Sequence, residues 1–303
     1  MMTGTFTLHS QGQGTSIKFN AMASPCELLI DTKDPSLVQQ LATLATNQVR
    51  RIENTYSRYR DDNLCHRINT SQGHPVTIDN ECFQLLCYAD QCFQLSDGMF
   101  DISSGILRRA WRFDGSDKIP SQTDIDTLLP YIGWQKVEFG ESFIKLPLGM
   151  EIDFGGIGKE FAVSLVAQKC RESAPETSVV VNFGGDIEIS RPKHDLSPWM
   201  IGIEKPDSEN EAEQLIKIAA GALATSGDAR RFLLYKGVRY SHVLNPKTGW
   251  PIIDAPRSVT VAASQCIQAG SLATIALLHG NRAEEFLKAQ NVPYWCSHAN
   301  SIN

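Results

Sequence analysis

The chain has 303 residues, 42% of them hydrophobic and 20% charged, a balance that fits a globular protein of one large domain or two modest ones and not a disordered or fibrous chain. Lys and Arg number 28 against 34 Asp and Glu, a formal charge of −6, and this mild acidity without a long basic run argues against a nucleic-acid binder or a polybasic membrane-surface protein. No apolar stretch approaches the ~18 residues that cross a bilayer. The start, MMTGTFTLHSQGQGTS, has neither the basic nor the apolar region of a signal peptide, so a cytoplasmic location is expected.

Residues 1–16 read as an N-terminal tail and 17–303 as one domain, since no fixed-period repeat, low-complexity tract or linker interrupts them. Residues 17–31 have the apolar spacing of strands, interrupted at Ser24-Pro25. Asp34-Pro35 opens a helix with a capping carboxylate followed by proline, and Leu37, Leu41, Leu44, Ile52 and Tyr56 continue one apolar face. A second helix runs from about Asp79 to Leu95, and residues 97–120 form a Gly- and Asp-rich segment with a short helix around 106–111. Residues 143–154 predict a strand ending at Asp153-Phe154, followed by a glycine turn and a helix with Phe161, Leu165 and Cys170 on one face. Val179 to Val181 form a buried strand that Ile187 and Ile189 resume, and the glycines between them read as a bulge in which Asp186 satisfies backbone donors.

Further strands are expected at 199–204, 215–219, 231–235 and 258–262, and further helices from near Gly270 and over 283–288. Adjacent strands with helices laid between them predict an α+β fold with mixed or antiparallel sheets and packed helices. The eight cysteines include no Cys-x-x-Cys pair, so buried free thiols are expected in place of disulfides or zinc sites.

Four stretches carry chemistry. Asp153-Phe154-Gly155-Gly156-Ile157-Gly158-Lys159-Glu160 places glycines and a lysine at a helix start, which suits a phosphate or pyrophosphate or, equally, a tight turn with a solvated lysine. It is neither a Walker A loop nor a Rossmann fingerprint. Asn182-Phe183-Gly184-Gly185-Asp186 is the second. The third pairs Ala224-Thr225-Ser226-Gly227-Asp228 with the run from Ser241-His242 to Trp250-Pro251. A histidine on a polar turn can be a general base or a hydrogen-bonded surface residue. No G-x-S-x-G elbow is present. In the fourth, Ala269-Gly270-Ser271-Leu272-Ala273-Thr274, small residues allow close packing or ligand approach, and the Thr274 hydroxyl can reach a hard cation.

In this order the four motifs resemble the FAD:protein FMN transferase family, the ApbE-like family. The likeness extends to FNAMAS at 19–24, TYSRYRDD at 55–62 with Ile68-Asn69, and GMFDIS at 98–103, so it covers about residues 17–290. It implies a single compact α+β domain related to tandem T-fold-like halves, with a cleft for FAD. It also implies a reaction in which a divalent cation, Mg²⁺ or Ca²⁺, neutralises the pyrophosphate. A base activates a Thr or Ser hydroxyl of an acceptor protein, which attacks the FMN phosphorus and expels AMP.

Carried over by position, Met22, Tyr59, Met99, Phe100 and Asp101 line the FAD site, while Gly155, Gly156 and Lys159 lie near the pyrophosphate. His242 is the base with Thr248 nearby, and the metal positions are the Gly158 carbonyl, residue 270 and the Thr274 hydroxyl. Two residues depart from the pattern. Gly270 stands where the family has an aspartate, and Asn245 stands where it has another. Asp153 and Asp228 are the candidates to replace the missing metal carboxylate. That loss keeps two alternatives open: an FAD- or FMN-binding protein without transferase activity, and an FAD pyrophosphatase.

Overall fold

The computed structural model describes residues 6–11, 14–113, 118–204, 212–228 and 231–298. In chain order its elements are β1 (Thr7–Gln11), β2 (Gly14–Ala21), β3 (Ser24–Ile30), α1 (Pro35–Tyr56), α2 (Leu64–Asn69), β4 (Val76–Thr77) and α3 (Asn80–Leu95). A 3-10 helix, Ile102–Arg109, leads to α4 (Gln122–Asp126), β5 (Glu138–Gly140) and β6 (Phe143–Lys145). A 3-10 turn at Phe154–Gly156 precedes α5 (Gly158–Ser173). Then come β7 (Val179–Phe183), β8 (Asp186–Ile189), β9 (Trp199–Glu204), β10 (Ala212–Ile218), β11 (Gly221–Gly227), β12 (Phe232–Tyr235) and β13 (Val238–Ser241). The chain closes with β14 (Ser258–Ala263), α6 (Cys266–Leu278), α7 (Ala283–Gln290) and β15 (Tyr294–Ser297).

Period-two burial builds the main sheet. In β2, Ile17, Phe19 and Ala21 are buried while Lys18 and Asn20 are exposed, the pattern of a strand with one covered face. Eight strands run in the order β1-β2-β3-β7-β8-β11-β14-β15, every pairing antiparallel. Helices α1, α5 and α6 cover one face. On the other, Val180, Ile187, Ile189 and Leu223 pack with Ile201 of the β9–β10 ribbon. Coverage on both faces explains why β7 begins as an apolar run and why all four residues of β8, its two acids included, are buried. A satellite core around Trp111, Ile106, Leu107 and Ile125 joins Leu233 of β12.

Local signals set the helix ends. Asp34 accepts from the Ser36 amide at 2.9 Å, and Asp79 accepts from that of Cys82 at 2.9 Å, so each satisfies an amide that a helix start leaves orphaned. All eight cysteines are free thiols, six of them buried, as expected for small apolar side chains. Among the described residues no helix is long and apolar enough to cross a membrane.

Several expectations need correction. Residues 7–11 and 14–16 lie in β1 and β2, so part of the supposed tail is sheet edge. Of residues 143–154 only 143–145 are strand, with Phe143 and Ile144 paired to both β4 and β5 and Ile144 alone of the three buried, while the rest leads to α5. Gly184-Gly185 is no bulge. Phe183 pairs with Asp186, and both glycines have positive φ (63° and 97°), making a two-residue hairpin turn. On α5 the buried stripe is Ala162, Val163, Val166, Ala167 and Cys170, with Phe161 and Leu165 only half-buried. Strand β11 (GALATSG) was not expected, since small residues carry little strand propensity, yet it sits between β8 and β14.

The register places the site. The β2–β3 turn at Met22-Ala23, the β7–β8 turn at Gly184-Gly185 and the Thr225–Gly227 end of β11 lie at one end of the sheet. Helix α6 lies over β11 and β14, and the small buried residues Ala222, Ala224, Ala269 and Ala273 allow that close approach. Ala224→Leu is therefore expected to overpack this seam and cost about 1–3 kcal/mol, read as a lower urea midpoint with unchanged slope.

Candidate functional site

Three loops meet at the glycine-rich start of α5. The Asp153 carboxylate accepts from the Gly155 amide at 2.9 Å and caps the 3-10 turn. Arg58 pairs with that carboxylate, lies 5.0 Å from the centre of the Tyr59 ring and donates to the Tyr59 hydroxyl at 2.9 Å. The Asp153 amide donates to the Ile102 carbonyl at 2.8 Å. The segments at 55–62, 98–103 and 153–160, recognised separately in the sequence, thus form one wall.

Tyr59 is 79% exposed, with its hydroxyl held by Arg58. A Cβ on Gly156 would stand 3.2 Å from the Phe100 ring, so the glycine makes room for that buried aromatic. Met99 is half-buried against the main core. Asp101 does not face the cleft. One oxygen accepts from the Ser103 amide and hydroxyl at 2.8 and 2.6 Å, the other from the Trp134 amide at 3.0 Å. Its part is to hold the segment's shape.

Asn20 to Pro25 and Glu53 line an open hollow of about 460 Å³. Met22 and Ala23 both have positive φ (52° and 55°), an uncommon conformation for residues with a Cβ. The Met22 amide donates to Glu53 of α1 at 2.9 Å, which holds the turn in place.

Lys159 reaches the neighbouring turn. Its ammonium lies 2.6 Å from Asp186, and Asp186 also accepts from the Thr225 amide at 3.3 Å. Burial works against the charged lysine, but Asp186 and then Glu160 outweigh it and hold its pKa above the ordinary value. Burial raises Asp186, an effect that Lys159 opposes. Burial also raises Glu160, and the charge of Asp186 pushes in the same direction.

His242 is half-buried, its ring edge-on to Phe113 with centroids 6.3 Å apart. Nδ1 lies 3.0 Å from the Arg231 carbonyl. A carbonyl only accepts, so the neutral ring carries its proton on Nδ1 and leaves Nε2 with a lone pair. Burial lowers its pKa below 6.5, while the bond to Arg231 raises it in part. Asn245 Oδ1 accepts from the amides of Lys247 and Thr248 at 2.8 and 3.3 Å, so the amide form folds the turn. Thr248 is exposed on that turn, with its hydroxyl accepting from the Trp250 amide at 3.3 Å.

Of the metal positions, Gly158 opens α5, and Thr274 on α6 shares a 2.8 Å hydrogen bond with Ser226 of β11. Gly270 precedes Thr274 by one turn on the same face. The expected substitutes for its missing carboxylate are both occupied. Asp153 holds Arg58, and Asp228 accepts from Arg239 at 2.8 Å and Arg257 at 2.7 Å. Sequence reasoning quoted Glu160 without assigning it a role. The signal was present, an acid at a helix start, but its packing against α6 was not legible. The anchoring roles of Glu53, Arg58 and Ser226 also went unassigned.

A fold with these turns, this glycine-started helix and this histidine matches known proteins along its length. The ApbE family model matches residues 14–295, and the chain belongs to the ApbE family. It is 30% identical over 254 residues to the FAD:protein FMN transferase of Klebsiella pneumoniae, covering 81% of this chain and 76% of that protein. To the FAD:protein FMN transferase of Vibrio cholerae it is 28% identical over 260 residues, 84% of this chain and 78% of the relative. The crystal structure of the ApbE protein of Thermotoga maritima superimposes with a TM-score of 0.85 at 26% identity, covering 94% of each chain. The flavin transferase ApbE of Vibrio cholerae superimposes with a TM-score of 0.81 at 25% identity, covering 95% of each.

Removing Asp186 leaves the half-buried Lys159 ammonium without its carboxylate. Asp186→Asn is accordingly expected to destabilise the fold by about 1–3 kcal/mol. Urea unfolding checks this, and a midpoint equal to that of the unsubstituted protein would contradict it.

Proposed function

We propose that this protein transfers FMN from FAD to a threonine or serine hydroxyl of an acceptor protein and releases AMP. The observation that carries this reading is His242, whose Nδ1 proton is committed to the Arg231 carbonyl so that Nε2 can accept one. It stands alongside a glycine-started helix and the flavin transferase names of its relatives.

In this reading the acceptor O–H gives its proton to His242 Nε2 as its oxygen bonds to the FMN phosphorus. The bond from that phosphorus to the bridging oxygen breaks, and AMP leaves with the oxygen. Met22, Tyr59, Met99 and Phe100 position the flavin side of FAD, and Gly155 and Gly156 let backbone approach the pyrophosphate. Lys159 keeps two N–H bonds beyond the one on Asp186, so it serves as an oriented donor more than as a free charge. A divalent cation, Mg²⁺ or Ca²⁺, when bound supplies neutralisation of the pyrophosphate charge. The Gly158 carbonyl and the Thr274 hydroxyl are oxygen donors suited to it. Among the described residues no group of three or more His, Cys, Asp or Glu could hold a metal, so such a site draws mostly on neutral oxygens and the substrate's phosphates.

The test is incubation with FAD, Mg²⁺ and threonine-bearing acceptor peptides, with mass spectrometry of the acceptor and chromatography of nucleotides. Covalent FMN on the acceptor with matching AMP is expected. Free FMN and AMP with an unmodified acceptor would indicate a pyrophosphatase, and bound, unchanged FAD a binding protein; either result overturns transfer.

His242→Ala is expected to lower the transfer rate by ~10²–10⁴ while FAD affinity changes little. The base must be neutral, and its pKa is held below 6.5, so kcat/KM for the acceptor should be flat at neutral pH and fall as acid protonates the ring. A pH profile for His242→Ala that keeps this acid limb would place the titration elsewhere.

A further inference from the structure

Glycine 270 leaves no gap. A Cβ built on it would lie 2.4 Å from Glu160 Cγ and 3.2 Å from Glu160 Oε1. The Glu160 side chain, reaching over from the first turn of α5, already fills the place where a residue at 270 would start. It is 8% exposed, and its Oε2 is buried with no hydrogen-bond partner among the described residues. An acid so placed normally has a donor or a cation. The lysine next to it in sequence does not serve, because Lys159 turns its ammonium to Asp186. Of the two buried carboxylates in this corner, Asp186 therefore holds the ammonium.

We propose that Glu160 supplies the metal-binding carboxylate of this protein, delivered from α5 in place of residue 270 on α6. This deepens the FMN-transfer reading and rests on it. The cation would be a hard divalent one, Mg²⁺ or Ca²⁺, with Glu160 as its one protein charge beside the Thr274 hydroxyl, the Gly158 carbonyl and the phosphates of FAD. Gly270 and Glu160 are then a single exchange, since the 2.4 Å approach prevents a side chain at 270 while Glu160 keeps its position. By the same contact, Gly270→Asp alone does not place a carboxylate there while Glu160 keeps its position.

The test uses the full-length protein and reads metal binding directly, by calorimetric titration of Ca²⁺ and Mg²⁺ with and without FAD. FAD binding is measured separately in metal-free buffer. The variants are Glu160→Gln, Gly270→Asp and the double exchange Glu160→Gly with Gly270→Asp. The unsubstituted protein is expected to bind metal in the presence of FAD. Glu160→Gln should lose roughly tenfold or more in metal affinity, through loss of the one charged protein ligand, and keep its metal-free FAD affinity and fold. The double exchange should recover most of that loss, whereas Gly270→Asp alone should melt at lower temperature. Metal affinity unchanged in Glu160→Gln would overturn the proposal and leave Glu160 a buried structural acid, whatever the transferase assay shows. No metal binding by the unsubstituted protein would do the same. Failure to bind FAD even with Mg²⁺ or Ca²⁺ present would instead strike the FMN-transfer reading, and this proposal with it.

Discussion

Asp186 ties together the elements on which the site rests. From the first residue of β8 it holds the ammonium of Lys159 at 2.6 Å and the amide of Thr225 at 3.3 Å. One buried carboxylate thereby fixes the start of α5 and the functional end of β11 to the β7–β8 turn. A buried ion pair adds little net stability over an apolar replacement, but it penalises any arrangement that separates the partners. Because α6 lies on β11, the position of Thr274 is set by the same constraint.

The surrounding acids follow a common logic. Asp153 is held by Arg58, Glu151 by Arg108 and Arg109, and Asp228 by Arg239 and Arg257. Each arginine fork brings a loop onto the framework with directional bonds. Glu188 accepts from the Cys266 amide at 2.8 Å and the Ser164 hydroxyl at 2.7 Å. Glu151 Oε2 makes no hydrogen bond but faces Arg108, whereas Glu160 Oε2 has no hydrogen-bond partner among the described residues.

Much of the site was legible as short motifs whose geometry is local. The glycines before α5 imply close backbone approach, and the histidine before a Pro/Gly turn implies a polar base. Lys159 at the helix start was likewise visible, though its bond to Asp186 was not. Asp101 illustrates the limit. It belongs to a motif that resembles a ligand-lining segment, yet its oxygens are spent on Ser103 and Trp134. Nothing in its neighbours along the chain tells which way a carboxylate turns. Strand β11 was missed for a related reason: its small residues are chosen by the helix packed on it and not by strand propensity.

The sequence by itself determined where α1 and α3 begin, since the capping carboxylates of Asp34 and Asp79 act over one turn of chain. It also determined the apolar runs of the sheet and the order of the functional motifs, which are properties of neighbouring residues. Only the tertiary structure decided which carboxylates are paired and which is left without a donor, and that Glu160 occupies the space beside Gly270. Pairing and steric exclusion are settled between groups far apart in the chain. Their partners are known only once α5 and α6 are packed on the same sheet.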